Sequence, residues 1–249
     1  MNNVLLLEVK NLSKNFGGLK AVDNINFKLY SGEILSILGE NGAGKSTLIK
    51  MISGALSPTK GEIFFENKLL SGLTLRYAQK IGIATIYQDL ALADNIDIPG
   101  NVFLGEEIAK KIAGFEFLNK KRMIEETEVL LDKIKAEFKD LLVTTGEISG
   151  GQRQAVAIVR ALRRSAKIVI MDEPTAALAV NEVKKVRKLI RELKNNDIGV
   201  ILISHNMEDT FTVADRLLVM RNGRDVGERL VTKTDEKEVF ALIMGLTGE

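Results

Sequence analysis

Residues 39–47 have the types and the spacing of a phosphate-binding loop. Gly39 is followed, after four residues, by Gly44, Lys45 and Ser46, which fits the pattern of Gly, four residues, Gly-Lys-Ser/Thr. Glycines let the loop present successive backbone N–H groups to phosphate oxygens, and a following helix adds attraction for the anion. The lysine can reach the β- and γ-phosphates and the serine can bind Mg²⁺. The candidate nucleotide-binding residues here are Gly39, Asn41, Gly42, Ala43, Gly44, Lys45, Ser46 and Thr47.

The residues on either side of this loop give it the context that the motif requires. Residues 34–38 form an apolar run that predicts a buried strand, and residues 47–52 open a helix. A glycine-rich turn without any ligand is the alternative. The complete motif between a strand and a helix favours nucleotide binding.

Two neighbouring carboxylates follow a second apolar run. Residues 168–171 predict a buried strand, and Asp172 and Glu173 come directly after it. One carboxylate can belong to the shell of a metal ion while the next orients a water molecule for attack on the γ-phosphate. We therefore expect Asp172 to be a Mg²⁺ ligand and Glu173 to be the catalytic base.

Two further polar residues end apolar stretches. His205, the only histidine, follows the run 198–203, which predicts a strand beside residues 168–171. A lone histidine is commonly structural, but at this strand end it is a candidate for catalysis. Gln88 ends the stretch 81–87, where it could meet Mg²⁺ or the attacking water, or only face solvent.

Two other features allow both a ligand-binding and a structural interpretation. Phe16 precedes a glycine pair, and its ring could stack on adenine or cover the edge of the core. Residues 148–152, Ile-Ser-Gly-Gly-Gln, precede a predicted helix that runs to about Arg164. The start of that helix is a second anion-binding turn or a simple helix cap. Its candidate ligand-binding residues are Ser149, Gly150, Gly151 and Gln152.

Composition excludes several functional classes. The net charge is +2, from 35 basic and 33 acidic residues that are scattered along the chain, so nucleic acid is not indicated as a partner. The absence of cysteine excludes disulfides and thiol chemistry. No apolar run approaches the ~18 residues that span a bilayer, and the first residues do not resemble a secretion signal. We expect a soluble chain that can dock on a membrane component.

The pattern of predicted elements changes along the chain. Residues 4–9 and 21–29 predict antiparallel strands, whereas residues 89–145 predict helices alone. Within that stretch an apolar stripe at helical spacing predicts core packing; it consists of Met123, Thr127, Leu130, Ile134 and Phe138. We expect one domain, residues 1–249. Its catalytic core and β subdomain would be residues 1–88 and 166–249, and its helical subdomain residues 89–165.

These motifs, in this order, resemble the nucleotide-binding subunit of an ABC transporter over essentially the whole chain. The resemblance implies an α/β P-loop NTPase fold of the ABC-ATPase type, with a mixed core sheet, an antiparallel β edge and a helical subdomain. It implies ATP and Mg²⁺ as cofactors, Phe16 as the adenine-stacking aromatic and Gln88 as the Q-loop glutamine. His205 would contact the γ-phosphate. Residues 148–152 match the LSGGQ signature, with Ile148 in place of leucine.

In that family the signature binds the ATP held by the other subunit, which implies an ATP-dependent head-to-tail homodimer. One position departs from the usual pattern. Ala179 stands where the family commonly has the D-loop aspartate, which puts the coupling of the two composite sites in doubt. Residues 176–180, Ala-Ala-Leu-Ala-Val, are instead similar to bacterial monosaccharide-importer ATPases. Residues 87–93 and 101–105 support the same similarity.

The resemblance implies an ATPase on the cytoplasmic face of the membrane that powers uptake of a monosaccharide. Its partners would be membrane permease subunits and, indirectly, a periplasmic or extracellular sugar-binding protein. The ATPase of a branched-chain amino-acid importer is an alternative because residues 17–22 also suit that group. A soluble ABC ATPase without a transport role is another, as is a nucleotide-gated module that does not hydrolyse ATP.

Residues 89–105 are the expected docking segment for the permease. Gln88 ties the start of this segment to the γ-phosphate region, so that ATP-dependent movement could be transmitted to a partner. The segment also contains more apolar side chains than a short exposed loop needs, namely Ile96, Ile98, Val102, Phe103 and Leu104. These residues could instead close the core of the lobe itself.

Overall fold

The computed structural model describes residues 4–112 and 115–246. Residues 1–3, 113–114 and 247–249, which the predicted domain range 1–249 includes, lie outside the described residues. The strands are β1 (Leu5–Phe16), β2 (Leu19–Tyr30), β3 (Ile34–Leu38), β4 (Lys60–Phe65), β5 (Lys68–Leu69), β6 (Ile83–Ile86), β7 (Ala109–Ile112), β8 (Phe115–Leu118), β9 (Ile168–Asp172), β10 (Gly199–Ile203), β11 (Arg216–Arg221) and β12 (Arg224–Leu230). The helices are α1 (Lys45–Ile52), α2 (Leu75–Ile81), α3 (Ile98–Val102), α4 (Lys120–Lys133), α5 (Gly150–Arg163), α6 (Val180–Asn195), α7 (Met207–Val213) and α8 (Glu236–Met244). Thr145–Glu147 and Val231–Lys233 form single 3₁₀ turns.

Six strands form the core sheet in the order β12-β11-β3-β10-β9-β6. Strands β11, β3, β10, β9 and β6 are parallel, and β12 pairs with β11 in the antiparallel direction. Every residue of β3 and β10 is buried, as expected for parallel strands covered on both faces. The prediction of a mixed core sheet is confirmed, and so is the prediction that the strand before His205 lies beside the strand before Asp172.

A second sheet has the order β2-β1-β4-β5 and is antiparallel throughout. Along β1 and β2, buried side chains recur between exposed ones, as expected for a sheet with one face toward the core. Gly17 and Gly18 form the turn between these two strands. The predicted antiparallel β edge is therefore confirmed, with strands longer than the apolar pattern indicated.

Helices α3, α4 and α5 pack together between β6 and β9 in the chain. The predicted stripe of α4 is core packing: Met123, Thr127 and Ile134 are buried. Ile98, Val102 and Phe103 are also buried in the same cluster of apolar side chains. The apolar residues of this segment therefore mostly close the core of the lobe, and of the five only Leu104 is strongly exposed.

The prediction of helices alone over residues 89–145 is wrong at four places, because residues 89–97, 103–108 and 134–144 are irregular and the strands β7 and β8 precede α4. Strands β7 and β8 pair with each other in the antiparallel direction. Phe115 and Phe117 alternate with Glu116 there, a two-residue period with aromatic side chains that favours a strand. The helical spacing begins only after Asn119, which caps α4.

The second departure is the stretch from residue 89 to residue 97, which is irregular rather than helical. Its backbone is held by the fully buried side chain of Asn101. The Asn101 amide accepts from the N–H of Ala93 at 2.8 Å and donates to the carbonyl groups of Ala93 and Ile96, both at 3.0 Å. A single buried amide thus satisfies backbone groups that a helix would otherwise pair.

No helix among residues 4–112 and 115–246 combines the length and the apolar composition that a membrane crossing requires.

Candidate nucleotide-binding site

The phosphate-binding loop connects β3 to α1 and depends on glycine at two close approaches. Gly44 precedes the first residue of α1 with a φ of 100°, and a β-carbon there would lie 2.3 Å from the carbonyl oxygen of Ala21. A β-carbon on Gly39 would lie 2.3 Å from the carbonyl oxygen of Met220. Both distances are far inside van der Waals contact, so neither position accepts a larger residue without a shift of the backbone.

Lys45 lies folded over the loop from which it starts. Its ammonium group donates to the carbonyl oxygens of Gly39 at 2.6 Å and Glu40 at 2.9 Å. Burial lowers the pKa of Lys45, while the negative charges of Glu173 and Asp172 act in the opposite direction. The two carboxylates therefore offset only part of the cost of burying the Lys45 charge.

Asp172 and Glu173 lie at the carboxyl end of β9, next to the end of β10. Asp172 is in register with Ile203, the last residue of β10. Burial raises the pKa of Asp172 and the charge of Glu173 raises it further, whereas Lys45 and Lys50 lower it. The net effect is a carboxylate whose charge is poorly compensated. A cation beside it would relieve that penalty.

Glu173 has a backbone conformation that is unusual for a residue with a side chain. Its φ is 49°, in the left-handed region, and its backbone N–H donates to the carbonyl oxygen of Ile203 at 2.9 Å. Such strain persists only where the surroundings enforce it and is concentrated at functional sites. Nδ1 of His205 lies 3.0 Å from Oε1 of Glu173, so the two predicted catalytic residues are in direct contact.

A polar network beneath Glu173 was not predicted from the sequence. The Thr175 hydroxyl donates to Oδ2 of Asp209 at 2.5 Å, and Nε of Arg187 donates to Oδ1 of the same carboxylate at 2.6 Å. Asp209 is only 3% exposed. Since Asp209 belongs to α7, this network ties the turn after Glu173 to the helix after His205. The three residues lie 12 to 34 positions apart in the chain, and no local pattern joins them.

One pocket of about 470 Å³ brings most of the predicted nucleotide-binding residues together. Its predicted lining residues are Asn41, Gly42, Ala43, Gly44, Lys45, Ser46, Thr47, Asp172 and Glu173. Further lining residues that sequence reasoning missed are Leu19, Lys20, Ala21, Ile203, Asn222 and Gly223. Asn222-Gly223 was recognisable only as the turn of a hairpin. Its position is set by tertiary hydrogen bonds, including one from the N–H of Gly223 to the carbonyl oxygen of Ala43 at 3.1 Å.

Phe16 and Gln88 do not line this pocket. Phe16 ends β1 opposite Leu19, which does line the pocket, and its side chain is 49% exposed. The ammonium group of Lys14 lies 5.3 Å from the centre of its ring. Gln88 is exposed two residues beyond β6, which is paired in parallel with β9. Both side chains are exposed.

The turn at residues 149–152 is separate from the pocket, because none of its residues is among the lining residues. Ser149 caps α5. Its hydroxyl accepts from the N–H of Gln152 at 3.4 Å, and the Gln152 side chain accepts from the N–H of Ser149 at 3.1 Å. This reciprocal arrangement is a capping box. Within one chain, then, the two predicted anion-binding turns do not form one site.

Comparison with known proteins agrees with the family resemblance of the sequence motifs. The family model for the ABC transporter matches residues 22–176. A xylose/arabinose import ATP-binding protein of Sulfolobus acidocaldarius is 44% identical, over 94% of this chain and 92% of the relative. A fructose import ATP-binding protein of Rhizobium meliloti is 43% identical, over 88% and 86%. A ribose import ATP-binding protein of Clostridium tetani is 39% identical over 96% of this chain, which spans only 47% of that relative.

Two solved structures are similar over nearly the whole chain. A nucleotide-free ATP-binding cassette from an ABC transporter superposes with a TM-score of 0.82 at 29% identity, covering 98% of this chain and 100% of the other. A dimeric ATP-binding cassette in a post-hydrolysis state, bound to ADP and Pi, has a TM-score of 0.73 at 25% identity, covering 91% and 99%.

Proposed function

The chain belongs to the ABC transporter family of ATP-binding proteins, and from this we propose that it is the ATP-hydrolysing subunit of a monosaccharide importer. One observation carries the sugar assignment. The xylose/arabinose and fructose import ATP-binding proteins are 44% and 43% identical to this chain and match it over at least 86% of their own length. We treat residues 1–249 as one ABC ATPase unit, with a catalytic core (1–88 and 166–249) and a helical subdomain (89–165).

The residues of the pocket fit Mg²⁺. Hydroxyl and carboxylate oxygens are the ligands that this ion prefers, and Ser46 and Asp172 line the same pocket. The described residues contain no group of three or more histidine or acidic residues able to hold a metal by themselves. A Mg²⁺ site here therefore depends on the phosphates of the nucleotide for its other ligands. Ser46, Asp172 and, from the next strand end, Gln88 would hold the ion, which would neutralise charge on the phosphates.

Different residues of the chain bind the phosphates, neutralise their charge and activate the attacking water. The loop N–H groups of residues 41–47 bind the phosphates, and Lys45 leaves its carbonyl partners to neutralise the β- and γ-phosphates. Glu173 accepts the proton of the attacking water. His205, whose Nδ1 lies 3.0 Å from Oε1 of Glu173, orients that carboxylate and reaches the γ-phosphate. Phe16 stacks on the adenine ring.

Two copies of the chain complete the site. Ser149, Gly150, Gly151 and Gln152 lie outside the pocket of their own chain, so in this proposal they bind the γ-phosphate of the ATP held by a partner copy. The head-to-tail arrangement makes the dimer dependent on ATP. Dimeric cassettes among the similar structures support this assembly.

Membrane permease subunits dock on residues 89–105, at the cytoplasmic face of the membrane. Because Ile98, Val102 and Phe103 are buried, the docking surface consists of the irregular stretch before α3 and the exposed Leu104. Leu104 lines a groove with Arg160 of α5, with Arg164 directly after that helix and with residues of β6. Gln88 begins this segment, so a change at the γ-phosphate reaches the groove directly. A periplasmic or extracellular sugar-binding protein delivers the solute to the permease.

Uptake of labelled solutes tests this proposal. A strain that lacks the gene should lose uptake of one or more of xylose, arabinose, ribose, fructose and galactose, while leucine uptake continues. Wild-type protein should restore uptake, and Glu173→Gln protein at equal abundance should not. Lost leucine uptake with unchanged sugar uptake would replace the sugar assignment with amino-acid import. Unchanged uptake of every solute would favour a role outside transport.

A further inference from the structure

The turn that follows Glu173 has a backbone shape that its own residues do not favour. Glu173 and Ala177 have φ values of 49° and 60°, both in the left-handed region, although neither residue is glycine. Within the turn, the N–H of Ala176 donates to the carbonyl oxygen of Glu173 at 3.1 Å. Strained backbone of this kind persists only where the surrounding structure enforces it, so contacts from outside the turn must hold it.

Two buried polar side chains of other helices hold this turn. Oδ2 of Asp209, in α7, accepts from the Thr175 hydroxyl at 2.5 Å. The side-chain amide of Gln154, in α5, donates to the carbonyl oxygen of Pro174 at 2.9 Å. Asp209 and Gln154 are only 3% and 5% exposed, and water therefore competes little for these hydrogen bonds. The turn after Glu173 is thus fixed to both α7 and α5.

Asp209 is also joined to the residue directly after His205. The backbone N–H of Asp209 donates to Oδ1 of Asn206 at 3.2 Å, so that Asn206 caps α7. Asp209 therefore contacts the segment that follows Glu173 through its carboxylate and the segment that follows His205 through its backbone. Since Nδ1 of His205 lies 3.0 Å from Oε1 of Glu173, Asp209 is a second connection between two segments whose side chains already meet.

Arg187 holds the Asp209 carboxylate in place. Nε and a terminal nitrogen of Arg187, in α6, lie 2.6 Å and 2.5 Å from Oδ1 of Asp209, which leaves Oδ2 for the Thr175 hydroxyl. The Arg187 side chain is 13% exposed. Hydrogen bonds between charged groups are stronger than neutral ones, and two from one guanidinium also fix the orientation of the carboxylate. Thr175 is therefore bonded to an acceptor that is itself held rigidly.

We propose that Asp209 is a positioning residue for ATP hydrolysis, because it fixes the distance between Glu173 and His205 by holding the segment that follows each of them. This inference rests on the catalytic roles proposed for those two residues. Asp209 is not among the residues that line the nucleotide pocket, so it acts through Thr175 and through α7. A displacement of about 1 Å at a catalytic group can cost about 10²-fold in rate, which makes the effect of this contact on chemistry measurable.

Thr175→Val removes the link to Asp209 and leaves the pair of Asp209 and Arg187 whole. Valine keeps the branched shape of threonine but cannot donate a hydrogen bond. In the full chain, kcat for ATP hydrolysis should fall about 10- to 100-fold, while KM for ATP changes little because the pocket residues are not altered. Thr175→Ser keeps the hydroxyl and should restore most of the rate. Steady-state phosphate release over a range of ATP concentrations measures both constants.

Thr127→Val is the matched control for a purely structural effect. Thr127 is fully buried in α4, and its hydroxyl donates to the carbonyl oxygen of Met123 at 2.7 Å. This variant also loses the hydrogen bond of a buried hydroxyl, but it lies in the helical lobe, so kcat should be unchanged. Melting curves verify that each variant is folded.

Asp209→Asn is the direct variant and should also lower kcat. Asparagine cannot accept from Thr175 with one side-chain atom and from Arg187 with the other, because one of these atoms is now a donor. It also weakens the pairing of a charge that is mostly buried, which lowers stability. If this variant does not fold, the Thr175 variants decide the question, since they leave that pair intact.

A double-mutant cycle separates positioning from a general loss of folded protein. His205→Ala protein has no imidazole to be held against Glu173. Adding Thr175→Val to it should therefore lower kcat by a smaller factor than the same substitution does in wild-type protein. Residues that act through one shared geometry give such non-additive losses, whereas independent sites give additive ones.

The outcomes distinguish this inference from the roles on which it rests. Equal fold-losses of kcat in the two backgrounds would overturn it, as would a Thr175→Val protein as active as Thr127→Val protein, or a Thr175→Ser protein as slow as the valine variant. In each of these cases an inactive Glu173→Gln protein would leave the role of Glu173 intact. If instead Glu173→Gln and His205→Ala proteins hydrolyse ATP at the wild-type rate, the proposed catalytic roles are wrong and the inference falls with them.

Discussion

The two anion-binding turns of this chain differ in how complete they are. At the loop of residues 39–47, Lys45, Asp172 and Glu173 are already assembled around one pocket by β3 and β9. At residues 149–152 the donors are present, but none of these residues lines the pocket. The first turn can bind a nucleotide alone. In the proposed assembly the second turn becomes useful only when another copy supplies the phosphate.

Because of this difference, we expect substitutions at the two turns to affect different steps, namely chemistry or nucleotide binding at one and association at the other. Changes at the carboxyl ends of β9 and β10 should alter chemistry or the binding of one nucleotide by one chain. Changes at the start of α5 should alter association and leave binding by one chain intact. The predictions below test that division, beginning with the largest effect.

Glu173→Gln should abolish most hydrolysis while ATP binding persists. Glutamine keeps the size of the side chain and a hydrogen bond to His205 but cannot accept the proton of water. Loss of a positioned general base costs about 10² to 10⁴ in rate. The measurement is steady-state phosphate release, with nucleotide binding followed separately. Glu208→Gln, at an exposed acid of α7, is the control and should remain active. Near-normal turnover by pure Glu173→Gln protein would remove Glu173 from the role of base.

Gly151→Asp should impair association without impairing nucleotide binding. An aspartate in the first turn of α5 is compatible with the helix, and its β-carbon would make an ordinary contact of 3.5 Å with Glu182. Its charge would repel a docking phosphate and remove a charge-assisted contact, which corresponds to about a 10- to 100-fold loss. Dimer formation in Glu173→Gln background measures the effect. Gly151→Asn supplies the same shape without the charge and should be much milder. Equal dimerisation of the two variants would contradict the division between the regions.

His205→Ala should reduce turnover by about tenfold, the value of one hydrogen bond to a charged group. The histidine contacts Glu173 directly, so its loss should lower kcat more than it raises KM for ATP. The comparison variant is His205→Gln, which can keep one hydrogen bond to Glu173 and should recover part of the rate. A change in KM alone would place His205 in nucleotide binding rather than in the chemical step.

The sequence predicted the loop of residues 39–47 and its carboxylates better than the segment before α3, for a physical reason. The loop of residues 39–47 and the Asp172-Glu173 pair are local patterns attached to strands that are apolar throughout, and buried parallel strands can be read from such runs. The prediction of helices alone over residues 89–145 was less accurate. Asn101 holds the irregular loop before α3 through hydrogen bonds to Ala93 and Ile96, and no periodicity reports a buried amide.

Contacts between distant segments also escaped sequence reasoning. The Thr175–Asp209–Arg187 network and the turn at Asn222-Gly223 reach the site through tertiary packing.

The smallest expected effect concerns the stability of the nucleotide-free chain. Asp172 is partly exposed, and burial and the charge of Glu173 raise its pKa above the ordinary 3.8 even though Lys45 and Lys50 oppose the shift. The cost of burial, together with the repulsion from Glu173, therefore outweighs the attraction to the lysines. Asp172→Asn should raise the stability at neutral pH by roughly 0.5 kcal/mol, a value discounted for solvent screening. Differential scanning calorimetry without nucleotide or Mg²⁺ would measure it.

The pH dependence of that difference identifies its cause. Because the folded chain holds the Asp172 proton more tightly than the unfolded chain, wild-type stability falls as pH rises from the ordinary 3.8 through the raised pKa. The advantage of Asp172→Asn should be full above the raised pKa and should shrink as pH falls toward 3.8. Asp132→Asn, at an exposed position of α4, is the control. A pH-independent advantage would assign the effect to packing, and a loss of stability at neutral pH would mean that the attraction to Lys45 outweighs burial. In either case, the charge of Asp172 would not be what lowers the stability of the nucleotide-free chain.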